Sequence, residues 1–162
     1  MTIRITPAQL GPELRKLMRR HKKIAVDAAY DAALLGTVLA VGETDKQSLV
    51  DLSQYKQSWE AKRLPGIGAE WGNTAPYSSV IEYGRRPGRA GPPLKPIKDW
   101  VKRKLVANGS VDAKEADSVA AAIRWKIHHH GSKPRFVLKS TVPKVREHYI
   151  KTVQRKLEKG RK

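Results

Sequence analysis

Three consecutive histidines, His128-His129-His130, form the densest group of metal-ligand types in the chain. Successive helical residues point about 100° apart, so three in a row cannot close on one ion. Zinc sites on helices use i, i+4 spacing, and no acidic or histidine partner stands there. Imidazoles at a helix C-terminus suit its dipole and last carbonyls instead. His21 falls on an apolar stripe and reads as a core or interface histidine. Glu82 sits between Tyr77 and Tyr83, but general acid–base work needs a second carboxylate or a histidine at a readable spacing, and none is present. Gly66-Ile67-Gly68 and Gly88–Gly91 lack the lysine followed by Ser/Thr of a phosphate loop. The absence of cysteine excludes thiol catalysis, disulfides and thiolate metal sites. The expectation is a non-enzyme with no cofactor and no metal; hydrolytic or metal-dependent chemistry around Glu82 and the histidines is the weakest reading.

Charge is the stronger signal. The 162 residues carry 33 Lys+Arg against 15 Asp+Glu, a formal +18. An excess of that size favours a polyanionic partner, or a crowded assembly whose acidic neighbours neutralise it. Residues 85–104 hold eight basic groups against Asp99, and residues 139–162 hold nine against Glu147 and Glu158. Solvated helix faces explain most charge runs, yet self-repulsion of this order needs compensation. No helix-turn-helix spacing, zinc finger or aromatic RNA platform is legible, so contact with the phosphate backbone is the form of nucleic-acid binding that fits. No apolar run approaches the roughly 20 residues of a membrane span, and no signal peptide is read at the N-terminus. A soluble, intracellularly made protein without a membrane partner is expected.

The elements that position these groups suit one α+β domain over 1–158. A long N-terminal helix, 12–42, packs on a small antiparallel hairpin, and three further helices fill the C-terminal half. Thr6-Pro7-Ala8-Gln9 matches a capping box, but Pro12 limits it to one loose turn before the main helix. Leu14, Leu17, His21, Ile24, Ala28, Ala32, Leu35 and Val38 form that helix's stripe, and Arg15, Lys16, Arg19, Arg20, Lys22 and Lys23 crowd its first half. Gly42 ends it, and 43–54 reads as a loop. Two short alternating runs ending at Leu64 and Trp71 flank Pro65-Gly66, a hairpin signal. Gly72-Asn73 is a turn, Pro76 opens a short helix and Gly84 stops it. A basic Pro/Gly loop occupies 85–95. Pro96 opens a helix closed by Asn108-Gly109, and Asp112-Ala113-Lys114-Glu115 is a capping box for another ended by Gly131. Residues 133–138 read as extended. A last helix from Thr141 to Leu157 aligns Val142, Val145, Tyr149, Val153 and Leu157, and 159–162 is expected to be a disordered basic tail.

Val50-Asp51 through Ser58-Trp59 fits a Val-Asp-x-Gly-x-x-x-x-Ser-Trp-like segment, with Ser53, one place further on, where a glycine is usual, so a different turn is expected there. Asn73, Tyr77, Glu82 and Gly84 fit an Asn-x-x-x-Tyr-Ala-x-x-Val-Glu-x-Gly block, with Ser78 and Ile81 substituted. Gly131 and Pro134-Arg135-Phe136-Val137-Leu138 fit a late Pro-x-Phe-Leu piece with one extra residue. In the order and spacing of these segments the chain resembles the tail-completion and head–tail joining (neck) family of tailed bacteriophages, related to the minor tail protein Z of phage lambda. The likeness spans roughly residues 10 to 158. It implies a structural virion protein of the head–tail interface, made in the host cytoplasm and forming a homo-oligomeric ring. Portal or connector and tail-tube or terminator proteins would be its neighbours, and genomic DNA would pass through its lumen non-specifically. Trp59, Trp71, Tyr77, Glu82, Tyr83 and Phe136 are then the subunit-interface candidates. Arg85, Arg86 and Arg89, on a flexible loop, with Arg19, Arg20, Lys22 and Lys23, face DNA or dock on acidic partners. A free non-specific nucleic-acid-binding protein is the alternative.

Overall fold

The computed structural model describes residues 7–47 and 53–159, with side chains from residue 11 onward. The elements are α1 (Pro7–Lys46), α2 (Gln54–Gln57), β1 (Trp59–Leu64), β2 (Gly68–Asn73), α3 (Ser78–Tyr83), α4 (Leu94–Val101) with a π-helical turn over Lys102–Val106, α5 (Ala116–His130) and α6 (Val137–Lys159). The fold is α+β, with the long first helix, the hairpin and the later helices that the sequence implies. Where the sequence suggests one domain, the described residues gather into two compact units. Residues 7–47, 56–74 and 137–159 form the first, and 53–55 with 75–136 the second.

In the first unit the hairpin and α6 both pack on α1. Leu64 and Gly68 close the ladder around Pro65-Gly66-Ile67. Proline in the first central position and Gly66 at φ 70 in the second, with Ile67 N–H donating to the Leu64 carbonyl at 3.1 Å, make a type II turn. The face of α1 that is covered is made of small residues: Ala28, Ala32, Ala33, Gly36, Ala40 and Thr44. Gly36 is decisive, because a Cβ there would lie 2.6 Å from Trp71 Cδ2. The ring of Trp71 rests on helix backbone, and the ring of Trp59 lies 6.2 Å from it, centroid to centroid. Trp59 Nε1 donates to Thr44 Oγ1 at 3.2 Å, and that hydroxyl donates to the Ala40 carbonyl at 2.7 Å. Two ion pairs flank this contact, Asp27 with Arg63 at 3.1 Å and Asp31 with Lys156 at 2.8 Å. The Arg63 guanidinium also lies 4.1 Å from the Tyr30 ring centroid. Part-exposed pairs of this kind contribute about 0–1 kcal/mol each, so they fix alignment more than they add strength.

Several expectations are corrected. Helix α1 is continuous from Pro7 through Lys46, with Pro12 and Gly42 inside it. Pro12 lies so near the N-terminus that it forfeits only the bond back to residue 8. Gly42 has open space about it, and packing beyond it through Thr44 carries the helix on. Residues 43–46, read as loop, are therefore helical, and 54–57 form α2. Leu14, Leu17 and Val38 of the expected stripe are exposed. Gly72 and Asn73 belong to β2, paired with Glu60 and Trp59. Helix α6 starts at Val137 and buries Thr141, Val145 and Thr152, while Val142 is exposed. Thr141 satisfies its hydroxyl on the Val137 carbonyl at 3.1 Å, which makes it acceptable in a packed face. Lys159 is helical, and 160–162 lie outside the described residues, as do Thr6 of the first capping box and Val50-Asp51. The expectation about membrane spans also changes: α1 is long and apolar enough to cross a membrane by length and composition, with a window of mean hydropathy 1.7. Of that window 28% is buried inside the protein, and Asp27 and Asp31 of α1 pair with β1 and α6.

The second unit packs α4 on α5 around Val101, Ala116 and Ala120, with Ile97, Leu105 and Ile123 against them. Helix α4 opens at Leu94, two residues before Pro96, whose missing N–H falls among the first-turn donors that have no helical acceptor. Its end widens into the π turn, in which Ala107 N–H reaches Lys102 O at 3.2 Å. Asp112 caps a turn instead of a helix, accepting from Lys114 N–H at 2.8 Å, and α5 starts only at Ala116.

Two glycines of α1 test this packing in opposite directions. Gly36→Ala is expected to destabilise the protein by about 1–3 kcal/mol through overpacking against Trp71. Gly42→Ala, in open space within the same helix, is expected to stabilise it by about 0.5–1 kcal/mol. Urea unfolding followed by circular dichroism reads both, and equal effects would refute the seating of Trp71 on Gly36.

Candidate assembly and polyanion-contact surfaces

The first surface is the uncovered end of α1. Forty residues at about 1.5 Å each make a helix of about 60 Å, whereas the 23 residues of α6 reach only about 35 Å. Residues 12–23 are all exposed. At about 100° per residue, Leu14, Leu17, Met18, His21 and Ile24 fall within an arc of about 120°, and Arg15, Lys16, Arg19, Arg20, Lys22 and Lys23 fall on the opposite side. The apolar arc continues the line that is buried from Ala28 onward. Met18 is 69% and Leu14 48% exposed. The same stripe thus runs on past its cover.

The aromatic and acidic candidates divide between the units. Trp59, 8% exposed, and Trp71 are brought together in the first, where their rings are engaged with α1. In the second unit Glu82 is only 4% exposed, whereas Tyr83 is 72% exposed on the next position of α3. Phe136, at φ 52, donates its N–H to the Glu82 carbonyl at 3.2 Å, and Arg135 N–H reaches the Ile81 carbonyl at 2.9 Å. The late Pro-x-Phe segment is thereby tied to α3. Sequence reasoning missed Tyr55, which is buried with its ring 6.2 Å from that of Tyr77. It follows a segment read as polar loop, and only its aromatic character among polar neighbours could have marked it.

The second surface is the basic segment after Gly84, and it is not the flexible loop expected. Arg85 and Ser132 exchange backbone hydrogen bonds at 3.0 and 2.9 Å, and Gly88 N–H donates to His128 O at 2.8 Å. His128 Nδ1–H donates to Arg89 O at 2.9 Å, and Arg124 Nε donates to Pro92 O at 3.2 Å. The segment is a strap laced to α5. Its anchorage needs glycine at both ends: Gly84 and Gly131 have φ 72 and 71, and a Cβ on either would strike the Ser132 or Arg85 carbonyl oxygen. The Arg85 guanidinium donates to Ala90 O within the strap, and Arg86 and Arg89 are exposed. The histidines diverge. His128 serves the strap, His129 stacks on Trp125 at 4.1 Å, and His130 meets Trp125 edge-on at 6.1 Å. Among the described residues no three His, Asp or Glu side chains are grouped to hold a metal ion.

One titration tests the Tyr55 cluster. Burial, then the Glu82 carboxylate, then Tyr77 push the Tyr55 phenol from 10.0 up to about 12. The unfolded chain releases that proton first, so the stabilisation is complete below pH 10.0 and is lost as pH rises toward about 12. Tyr55→Phe is expected to flatten that alkaline decline in thermal unfolding, and Glu82→Gln to lower the pH at which the last tyrosinate absorbance appears. An unchanged alkaline limb in Tyr55→Phe would refute it. Compared with known protein families, with curated proteins and with solved structures, the chain matches none.

Proposed function

We propose that this protein is a structural component of the phage head–tail junction, assembling as a ring that joins tail to DNA-filled head. The observation that carries the proposal is the apolar arc of α1, uncovered over Leu14, Leu17 and Met18 with six cations on the other side of the same helix. A helix of that kind finds its cover on a neighbouring chain. Head-to-tail repetition of one such contact closes a ring, and the cationic excess is balanced by acidic neighbours or threaded DNA.

The alternative, a free nucleic-acid-binding protein, draws on the +18 and on the exposed cations of α1. Association and salt dependence separate the two. Native mass spectrometry and electron microscopy are expected to show a closed ring, and Leu14→Glu with Met18→Glu to abolish it while leaving far-ultraviolet circular dichroism unchanged. A phage lacking the gene is expected to accumulate full heads beside unjoined tails. Normal joining without the gene overturns the proposal. Tight DNA binding by a monomer, falling steeply with salt, favours the alternative.

A further inference from the structure

The second unit contains a cleft of about 820 Å³ that takes Arg85, Pro92 and Pro93 of the strap as part of its wall. Its walls are Tyr55, Tyr77 and Trp100 with Ile97, Ile123 and Ile127. That volume lies within the range of about 300–1,000 Å³ of ligand sites and exceeds what a single side chain fills. Pro76, Pro92, Pro93 and Pro96 stiffen the wall, and Arg124 holds the Pro92 carbonyl to α5. A wall fixed in advance costs little further ordering on binding. The rim is unequally charged. Arg85, Lys95 and Arg103 line it with one carboxylate, Asp99; Lys95 Nζ pairs with Asp99 at 3.0 Å and the Arg85 guanidinium donates to Ala90 O, so the lining keeps a net positive charge. Recognition rests on apolar shape within and positive charge at the edge.

We propose that this cleft docks an acidic peptide segment of a partner protein, with apolar side chains set among Tyr77, Trp100 and Ile127 and carboxylates against Lys95 and Arg103. The mode is that of a short linear motif, with apolar anchors giving affinity and flanking charge giving selection. It is a site separate from the α1 face and stands whether or not the chain forms a ring.

Fluorescence anisotropy with three labelled synthetic peptides tests it. One alternates Leu and Phe with Asp and Glu, a second replaces the acids by Lys, and a third replaces the apolar residues by Ser. The first is expected to bind saturably, and the others at least about tenfold more weakly. Trp100→Ala is expected to weaken the first peptide by about tenfold or more. The double variant Lys95→Glu, Arg103→Glu changes only exposed rim positions, so its fold is expected to survive. It should lose the acidic peptide and gain the lysine peptide. Equal binding of the first and third peptides would mean attraction to the overall charge and overturns the proposal. So does the absence of saturable binding, indifference to both variants, or a single-stranded oligonucleotide that displaces the peptide and needs Trp100 as much.

Discussion

The ring of Trp71 occupies the space a side chain on Gly36 would take, and the first unit depends on that single substitution of ring for Cβ. With the hairpin lying on bare helix backbone, the Trp59 indole comes within reach of Thr44. A buried indole N–H needs an acceptor, and Thr44 supplies one while its own proton goes to Ala40. Asp27 and Asp31 then meet Arg63 and Lys156. All of these contacts lie between Asp27 and Thr44. Residues 12–23 are all exposed, so α1 is divided lengthwise into a covered portion and a cationic overhang.

Local chemistry was legible and long-range lacing was not. The hairpin follows from alternation around Pro65-Gly66, which acts within a few residues. Of the covered face of α1, Ala28 and Ala32 lie on the expected stripe, but Ala33, Gly36, Ala40 and Thr44 do not, because small residues give little hydrophobic contrast; Leu14, Leu17 and Val38 of that stripe are exposed. Pro12 and Gly42 read as breakers, yet one sits where little hydrogen bonding is lost and the other costs less than the packing beyond it supplies. Gly72-Asn73 and the helix opened by Pro76, which follow one another in sequence, are split after Thr74 between the two units. The strap has the composition of a mobile loop. Its partners, Ser132 and His128, lie some forty residues away, and no pattern within the segment announces them.

The charge follows a simple conservation rule. Asp27, Asp31, Asp45, Asp99 and Asp117 each pair with a lysine or arginine of the same chain. Every such pair removes one charge of each sign, so the formal excess of +18 is untouched by internal pairing. Internal pairing leaves that excess to dissolved counterions or to an anionic partner. The six cations of the overhang span nine residues, about 13 Å of helix and comparable to the screening length of about 8 Å at physiological salt. They act as one concentrated source of potential, and a partner there is selected for negative charge before it is selected for shape.

Magnitudes also limit what the overhang can do alone. Full burial of a Leu or Met side chain is worth about 1.5–3 kcal/mol, and Leu14, Leu17 and Met18 are already partly screened, so a single contact yields a few kcal/mol. Association costs about 4–15 kcal/mol in lost freedom. One such contact therefore cannot hold a pair of copies. In the proposed ring each copy makes the contact twice, and the final closure adds a contact without a further loss of translational freedom. That one extra contact offsets only part of the deficit, so the proposed ring also requires contacts beyond Leu14, Leu17 and Met18 and a polyanion that offsets the repulsion between neighbouring cationic faces. In the proposed ring the uncovered arc and the surplus charge are two halves of one requirement, apolar cover and opposite charge on the same helix.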